Sequence, residues 1–342
     1  MNPRDVTTLL REVSRSFYFT LRVLPAAVRA PIGLAYLLAR TTDTIADTEL
    51  LGVEIRLEAL ERWRERIMGR EGGGLEFEPL AQSQASEAER TMLRRGEEII
   101  RLLDKGDGPD RERIRTVLDT IIGGQALDLQ RFGAANIRQI IALQTDAELD
   151  DYTFRVAGCV GKFWTDMCLA HLFQMEPEAA KILVENGVRF GKGLQLVNIL
   201  RDVPQDLRNG RCYLPATRLA EAGLSASDLL LADTMKSFRP LYDSYLDRAE
   251  DHLTAGWAYT NSLPRHQRRL RLACAWPILI GAATLRKLRV ENALDAGRRI
   301  KISRSEVRRL MVRSILLYPW TGRWEKQFET ASNEVASRHA FR

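Results

Sequence analysis

Two pairs of aspartates are the side chains in this sequence best suited to chemistry. Asp43 and Asp47 follow Tyr36 and Arg40, and Asp202 and Asp206 follow Gln195, Asn198 and Arg201. On a helix each residue advances about 100°, so Tyr36, Arg40, Asp43 and Asp47 share roughly a 60° arc. By the same count Gln195, Asn198, Asp202 and Asp206 share roughly an 80° arc. Carboxylates four residues apart on one helix repel. A lone pair of that kind is usually a solvated acidic face. Here the intervening residues Ala35, Leu37, Leu38, Ile45, Val197, Ile199 and Leu200 are apolar, which predicts buried helices whose polar stripes must be satisfied inside the protein. Each pair also has an arginine close by, Arg40 and Arg201. Two facing pairs would concentrate negative charge in a way that makes sense only with cations. Oxygen ligands of this sort suit Mg²⁺, which takes one or two carboxylates and shares its other positions with water and phosphate. The arginines suit a diphosphate.

Other segments could serve the same chemistry. Ser14, Arg15, Ser16 and Phe17 read either as a helix start with a serine cap or as a hydroxyl and a cation placed to hold a phosphate. Gly158 and Gly161, shortly after Tyr152, are costly in a helix and predict close packing or room for a long ligand. Tyr152 is either a buried tyrosine with a satisfied hydroxyl or an acid/base beside a reacting centre. Phe17, Phe132, Phe154 and Phe163 are candidate walls of an apolar pocket, with Gly123 and Gly124 widening it. Pro204 predicts a kink or a new segment that presents Asp206, and Arg211 follows a turn at Asn209-Gly210. Lys301 and Arg304 form a solvated face or a loop that meets phosphates. The scattered histidines follow no metal or triad spacing.

Positioning these residues falls to helices. Leu, Ala, Arg and Glu dominate, apolar residues recur every three or four positions, and alternating β-branched runs are missing. An all-α fold is expected, with residues 1–342 forming one domain around an apolar cavity. Breaks are expected at Leu24-Pro25, between Gly69 and Pro79, from Lys105 to Pro109, from Leu207 to Pro215 and at Ser262 to Pro264. The tail after Gly322 reads as polar and frayed. The charge of +6, from 51 basic and 45 acidic residues, suits an anionic substrate or an acidic membrane surface. No interleaved basic and aromatic ladder argues for nucleic acid. Four cysteines without metal spacing imply a reducing cytoplasm. The N-terminus lacks the apolar core of a signal peptide, and the uncharged run Leu272 to Leu285 is too short to span a membrane and reads as core.

From Ser14 to Arg309 the sequence resembles the squalene/phytoene synthase family of head-to-head isoprenyl synthases. The first aspartate set resembles the motif of squalene synthases. The second, through Gly210, Arg211, Tyr213, Leu214 and Pro215, is close to bacterial phytoene synthases as well. Ala273 to Pro277 and Lys301 to Arg304 resemble the C-terminal region of squalene synthases. The resemblance implies an isoprenoid-synthase helical bundle in which two farnesyl diphosphates bind with Mg²⁺ at Asp43, Asp47, Asn198, Asp202 and Asp206. It implies substrate contacts from Ser16, Phe17, Tyr36, Arg40, Gln195, Arg201 and Arg211. Tyr152 matches the tyrosine of the first half-reaction, which gives presqualene diphosphate. Asn198, Arg201, Lys301 and Arg304 would serve a second half-reaction in which NADPH yields squalene. Ala273 stands where squalene synthases of higher cells carry an aromatic residue, and Ser303 where they carry a basic one. An oily product further implies peripheral contact with a membrane. Rival expectations are phytoene, dehydrosqualene or presqualene diphosphate as product, and a non-catalytic helical assembly protein of the same fold. A chain-elongating synthase would carry adjacent aspartates that the first set lacks.

Overall fold

The computed structural model describes residues 3–14, 17–48, 50–70 and 77–333. Up to Gly133, together with Phe163–Met175, they form one compact unit; Ala134–Lys162 and the residues from Glu176 onward form a second. As expected, nearly all regular structure is helical.

In the first unit α1 (Pro3–Val13) and α2 (Phe17–Val23) precede α3 (Ala26–Ala46), whose start follows the break at Pro25. Next come α4 (Val53–Met68), α5 (Glu78–Gln82), α6 (Glu87–Arg94), α7 (Gly96–Asp104) and α8 (Gly108–Phe132). Gly69 closes α4 in the left-handed region at φ 73°, which glycine adopts without a steric cost. Helix α3 packs on α4, α7 and α8. Ala35, Leu37, Leu38 and Ile45 are buried in that interface, as their spacing predicts.

In the second unit a parallel two-residue pairing joins β1 (Ile141–Ala142) to β2 (Arg211–Cys212). Between them run α9 (Asp146–Thr153), a π-helical turn (Phe154–Gly158), α10 (Cys159–His171, which crosses the boundary between the units) and α11 (Pro177–Arg208). After β2 follow α12 (Ala216–Glu221), α13 (Met235–Ser262), α14 (Arg268–Val290), α15 (Arg304–Leu317), α16 (Thr321–Glu325) and α17 (Gln327–Asn333). The 32-residue α11 packs along α13, α14 and the π turn. Its glycines permit that approach. A Cβ on Gly161 would lie 1.9 Å from the carbonyl oxygen of Gly187, and one on Gly191 would lie 2.2 Å from that of Ala157. Gly158 and Gly161 therefore serve close helix packing.

Two expectations are corrected. Helix α11 continues through Pro204 to Arg208, so Asp206 stands on the same helix as Asp202 rather than on a new segment. The chain after Gly322 is helical and packed as far as Asn333, because Trp324, Phe328 and Ala331 are buried and Trp324 stacks on Trp257 at 5.4 Å between ring centroids. Helix α14 is buried over most of its length and is core, as expected. All four cysteines are buried and free. Among the described residues no helix is long and apolar enough to cross a membrane.

Candidate active site

In the first unit, the regular turns of α3 carry Tyr36, Arg40 and Asp43 along one side, and Asp47 caps the helix with its N–H donating to the carbonyl of Asp43 at 2.8 Å. Arg40 is held by Glu89 of α6 through Nη2 and Oε1 at 2.5 Å, and its Nη1 stands 3.7 Å from Asp43. Gln125 of α8 donates to Asp43 Oδ1 at 2.6 Å. The Asp43 carboxyl is pushed up to about 6, first by burial and then by the charge of Asp47, against the opposing pull of Arg40 and Gln125. Yet 47% of its side-chain surface stays accessible. Protein crowding around the carboxyl, rather than sealing from solvent, sets its environment. A cation arriving there would relieve two repelling carboxylates. The donor set fits a divalent metal of the Mg²⁺ type, supplying one or two oxygens and leaving the rest to water and phosphate.

In the second unit α11 brings Gln195, Asn198, Asp202 and Asp206 onto one side, with Leu196, Val197, Ile199, Leu200, Val203 and Leu207 buried among and behind them. Asn198 is exposed; Gln195, Asp202 and Asp206 are half-buried. Arg201 bends back onto its neighbour and grips both oxygens of Asp202, Nε to Oδ1 at 3.0 Å and Nη2 to Oδ2 at 2.5 Å. Arg299 adds a contact of 3.3 Å. A cation at Asp202 therefore competes with the Arg201 guanidinium, a group whose fork of donors suits a diphosphate. Asp206 lines a small crevice with Arg211, Cys212 and Tyr213. The Cys212 thiol is pushed up to about 12, by burial first and by the Asp206 charge besides.

Arg211 is set in place by the strand pair: Ile141 N donates to the carbonyl of Gly210 at 2.8 Å, and Leu143 N to that of Cys212 at 3.0 Å. Gly210 turns at φ 78°, where a Cβ would strike Asn136 N at 2.2 Å. The same pairing seats Tyr213, whose ring stacks on Tyr152 at 4.6 Å with an interplanar angle of 26°. Tyr152 lies in the last turn of α9, two residues before the π turn, a feature common at functional sites. Ion pairs from Arg248 to Asp146 and Asp150, and from Lys192 to Asp150 at 2.7 Å, fix α9.

Among the described residues no three His, Cys, Asp or Glu side chains cluster as a self-sufficient metal site. The aspartates come as two pairs, one in each unit, and a bound metal would need ligands from water or substrate. Ser16 and the side chain of Phe17 lie outside the described residues. Phe132 and Phe163 are buried in packing, whereas Phe154 lies under Lys192 Nζ at 5.8 Å. The first unit holds a half-open cavity of about 810 Å³ lined by Leu10, Leu21, Ala30, Leu34 and Ile114 and also by Arg22, Arg29, Asp110 and Arg111. Lys301 and Arg304 are exposed at the start of α15. Ser303 between them is the helix cap, in a reciprocal capping box with Glu306. Sequence reasoning missed Gln125, Glu89 and Tyr213 as supports of the site. Gln125 directly follows the Gly123-Gly124 pair and Tyr213 belongs to the second motif; Glu89 carries no local signal.

The sequence profile described as squalene/phytoene synthase matches residues 10–306. A presqualene diphosphate synthase of Zymomonas mobilis is 32% identical over 62% of this chain and 60% of its own length. The chain thus spans three-fifths of that relative. A 15-cis-phytoene synthase of Synechocystis is 29% identical over 80% of this chain and 71% of its own. Among solved structures, the complex of TcSQS with the ligand E5700 superposes with a TM-score of 0.74, covering 97% of this chain and 96% of that one at 20% identity. The all-α architecture is therefore that of a known fold. The chain belongs to the squalene/phytoene synthase family, whose enzymes join isoprenyl diphosphates head to head.

Proposed function

We propose that this protein is a squalene synthase: it couples two farnesyl diphosphates head to head into presqualene diphosphate and reduces that product to squalene with NADPH. Residues 1–342 would work as one isoprenoid synthase domain. The observation that carries the coupling step is the pair of Asp-x-x-x-Asp stripes on α3 and α11, each with an arginine in contact with its carboxylates.

Asp43 and Asp47, and Asp202 and Asp206 with Asn198, would hold Mg²⁺, which when bound supplies positive charge against the diphosphate. Arg40 and Arg211 bind and orient the diphosphate, and Arg201 joins them as it leaves Asp202. Tyr36, Gln195, Ser16 and Phe17 complete the substrate contacts. Cationic side chains aimed at the leaving group stabilise the charge that develops as the C–O bond breaks. The double bond of the second farnesyl chain attacks the allylic cation, a proton is lost and the cyclopropane closes. The Tyr152 hydroxyl, its ring held by Tyr213, relays that proton, passing its own to an oxygen of the released pyrophosphate. Apolar walls exclude the water that would trap the cation. A second ionisation, a rearrangement and hydride transfer follow, with Asn198, Arg201, Lys301 and Arg304 serving the nucleotide.

A second reading is favoured by one feature, the capping box that commits Ser303 to the α15 backbone instead of offering a cation. On that reading presqualene diphosphate is the final product, the product named for the Zymomonas relative. The direct test of the coupling site is Mg²⁺-dependent pyrophosphate release from farnesyl diphosphate. The wild-type protein is expected to release it, and Asp202→Asn to lose at least about 10²-fold. Equal release by both proteins would refute the assignment.

A further inference from the structure

The outer side of α15 and the turn into α16 combine exposed apolar side chains with a surplus of cations. Its inner side is fixed: Ser314 is fully buried and accepts a hydrogen bond from the Trp276 indole N–H at 2.9 Å. On the outer side Val312 is 49% exposed, Ile315 38%, Leu316 63%, and Trp320, just beyond the helix, 56%. Elsewhere the exposed large apolar residues stand mostly apart, as Ile55, Ile137 and Ile182 do. Here four fall within nine residues. At about 100° per residue, Arg308, Val312, Leu316, Arg309 and Arg313 follow one another around the outer arc of the helix. Arg309, Arg313, Arg323 and Lys326 line one open groove of about 570 Å³ with Val312 and Leu316. Among the described residues Arg308, Arg309, Arg323 and Lys326 have no carboxylate partner. Arg323 lies over the Trp320 ring at 6.0 Å. The acidic residue of α15, Glu306, is already taken by Lys287 and by the helix cap.

We propose that this surface docks the protein on an anionic lipid bilayer. Apolar side chains at the centre enter the boundary between headgroups and acyl chains. The arginines and Lys326 extend along them and place their charges at the phosphates. Trp320 has the amphipathic ring favoured at that depth. Charge complementarity selects the occupant. A second copy laid on the same surface would oppose cation to cation, and a neutral partner would leave the cations without counter-charges.

The test is flotation of the full chain with phosphatidylcholine vesicles, with and without about one-third phosphatidylglycerol. Wild-type protein is expected to float with the anionic vesicles only, less so as salt rises, with a blue shift of tryptophan emission that Trp320→Phe removes. Arg309→Gln with Arg323→Gln is expected to weaken binding at least about tenfold, from roughly fivefold per cation. Leu316→Ser with Trp320→Ser should weaken it comparably, whereas Ile182→Ser on the exposed side of α11 should bind as wild type. Circular dichroism checks that each variant folds. If a variant fails to fold, the comparison of anionic with neutral vesicles and the emission shift still decide. Binding indifferent to lipid charge, binding unchanged in the arginine variant, or an oligomer that the patch variants dissociate would each overturn the proposal.

Discussion

Asp43 is asked to be charged where the fold prefers it neutral. Its pKa is raised to about 6 by burial and by Asp47, above the unfolded value near 3.8. Between those two values the folded chain therefore binds the extra proton. The stabilisation this gives is fully present below the unfolded value and is lost as pH rises through about 6. Asp43→Asn is thus expected to melt higher than wild type at pH 7.5 without metal, on the order of 2–4 °C, with the gap closing toward pH 4. The rise is modest because the half-exposed side chain is partly screened by solvent. The same change is expected to lower turnover at least about 10²-fold. Thermal melts beside a pyrophosphate assay check both, and a variant that melts lower at pH 7.5 would show that the ionised carboxylate stabilises the fold. After Arg40, Gln125 is the partner that helps to hold Asp43 charged, and its hydrogen bond orients the carboxyl. Gln125→Leu is expected to raise the pH at which activity is half lost on the acidic side, visible in a pH profile at limiting Mg²⁺. An unchanged acidic limb would assign Gln125 to packing alone. Both aspartate sets were legible in the sequence, because four-residue spacing on a helix is a local rule. Gln125 and Glu89 were not, because their contacts to α3 join residues far apart in the chain.

The helices show why the glycines and the caps matter. Gly161 and Gly191 let the π turn and α10 reach the backbone of α11, which brings Tyr152 and the second aspartate set into one unit. Gly161→Ala would gain about 1 kcal/mol of helix propensity and meet an overpacking cost of about 3 kcal/mol, since backbone cannot yield like a side chain. A net loss of about 2 kcal/mol in urea unfolding is expected, and a stabilised variant would contradict the packing seen here. Ser303→Ala should cost about 1 kcal/mol through loss of the capping box. If it also abolished NADPH use while leaving farnesyl diphosphate turnover intact, Ser303 would have a role beyond the cap. The sequence marked most helix ends correctly, at Pro25, Gly69, Pro109 and Pro264, because proline and glycine act locally. Its alternative of a new segment fails at Pro204, where α11 packs along α13 and α14 and continues to Arg208, and it misled after Gly322, where Trp324 and Phe328 are held by contacts to Trp257. The strand pair that seats Arg211 and Tyr213 is two residues long on each side and leaves no periodic trace.

For the whole molecule, the family fixes the class of chemistry and leaves the product open. Relatives named for presqualene diphosphate and for phytoene stand at 32% and 29% identity. On the proposed reading the acidic stripes, the crowded Asp43 and the stacked Tyr152 would serve the coupling step whichever chain length is accepted. On the same reading Lys301, Arg304 and the capped Ser303 would bear on whether reduction follows. The measurement that tests the central claim most directly is product analysis with purified protein, farnesyl diphosphate and Mg²⁺, with and without NADPH. Presqualene diphosphate is expected without NADPH, and squalene when it is added. Presqualene diphosphate under both conditions would keep the aspartate chemistry and remove the reductive half. Inert farnesyl diphosphate, with geranylgeranyl diphosphate converted instead, would contradict the account and make the product phytoene.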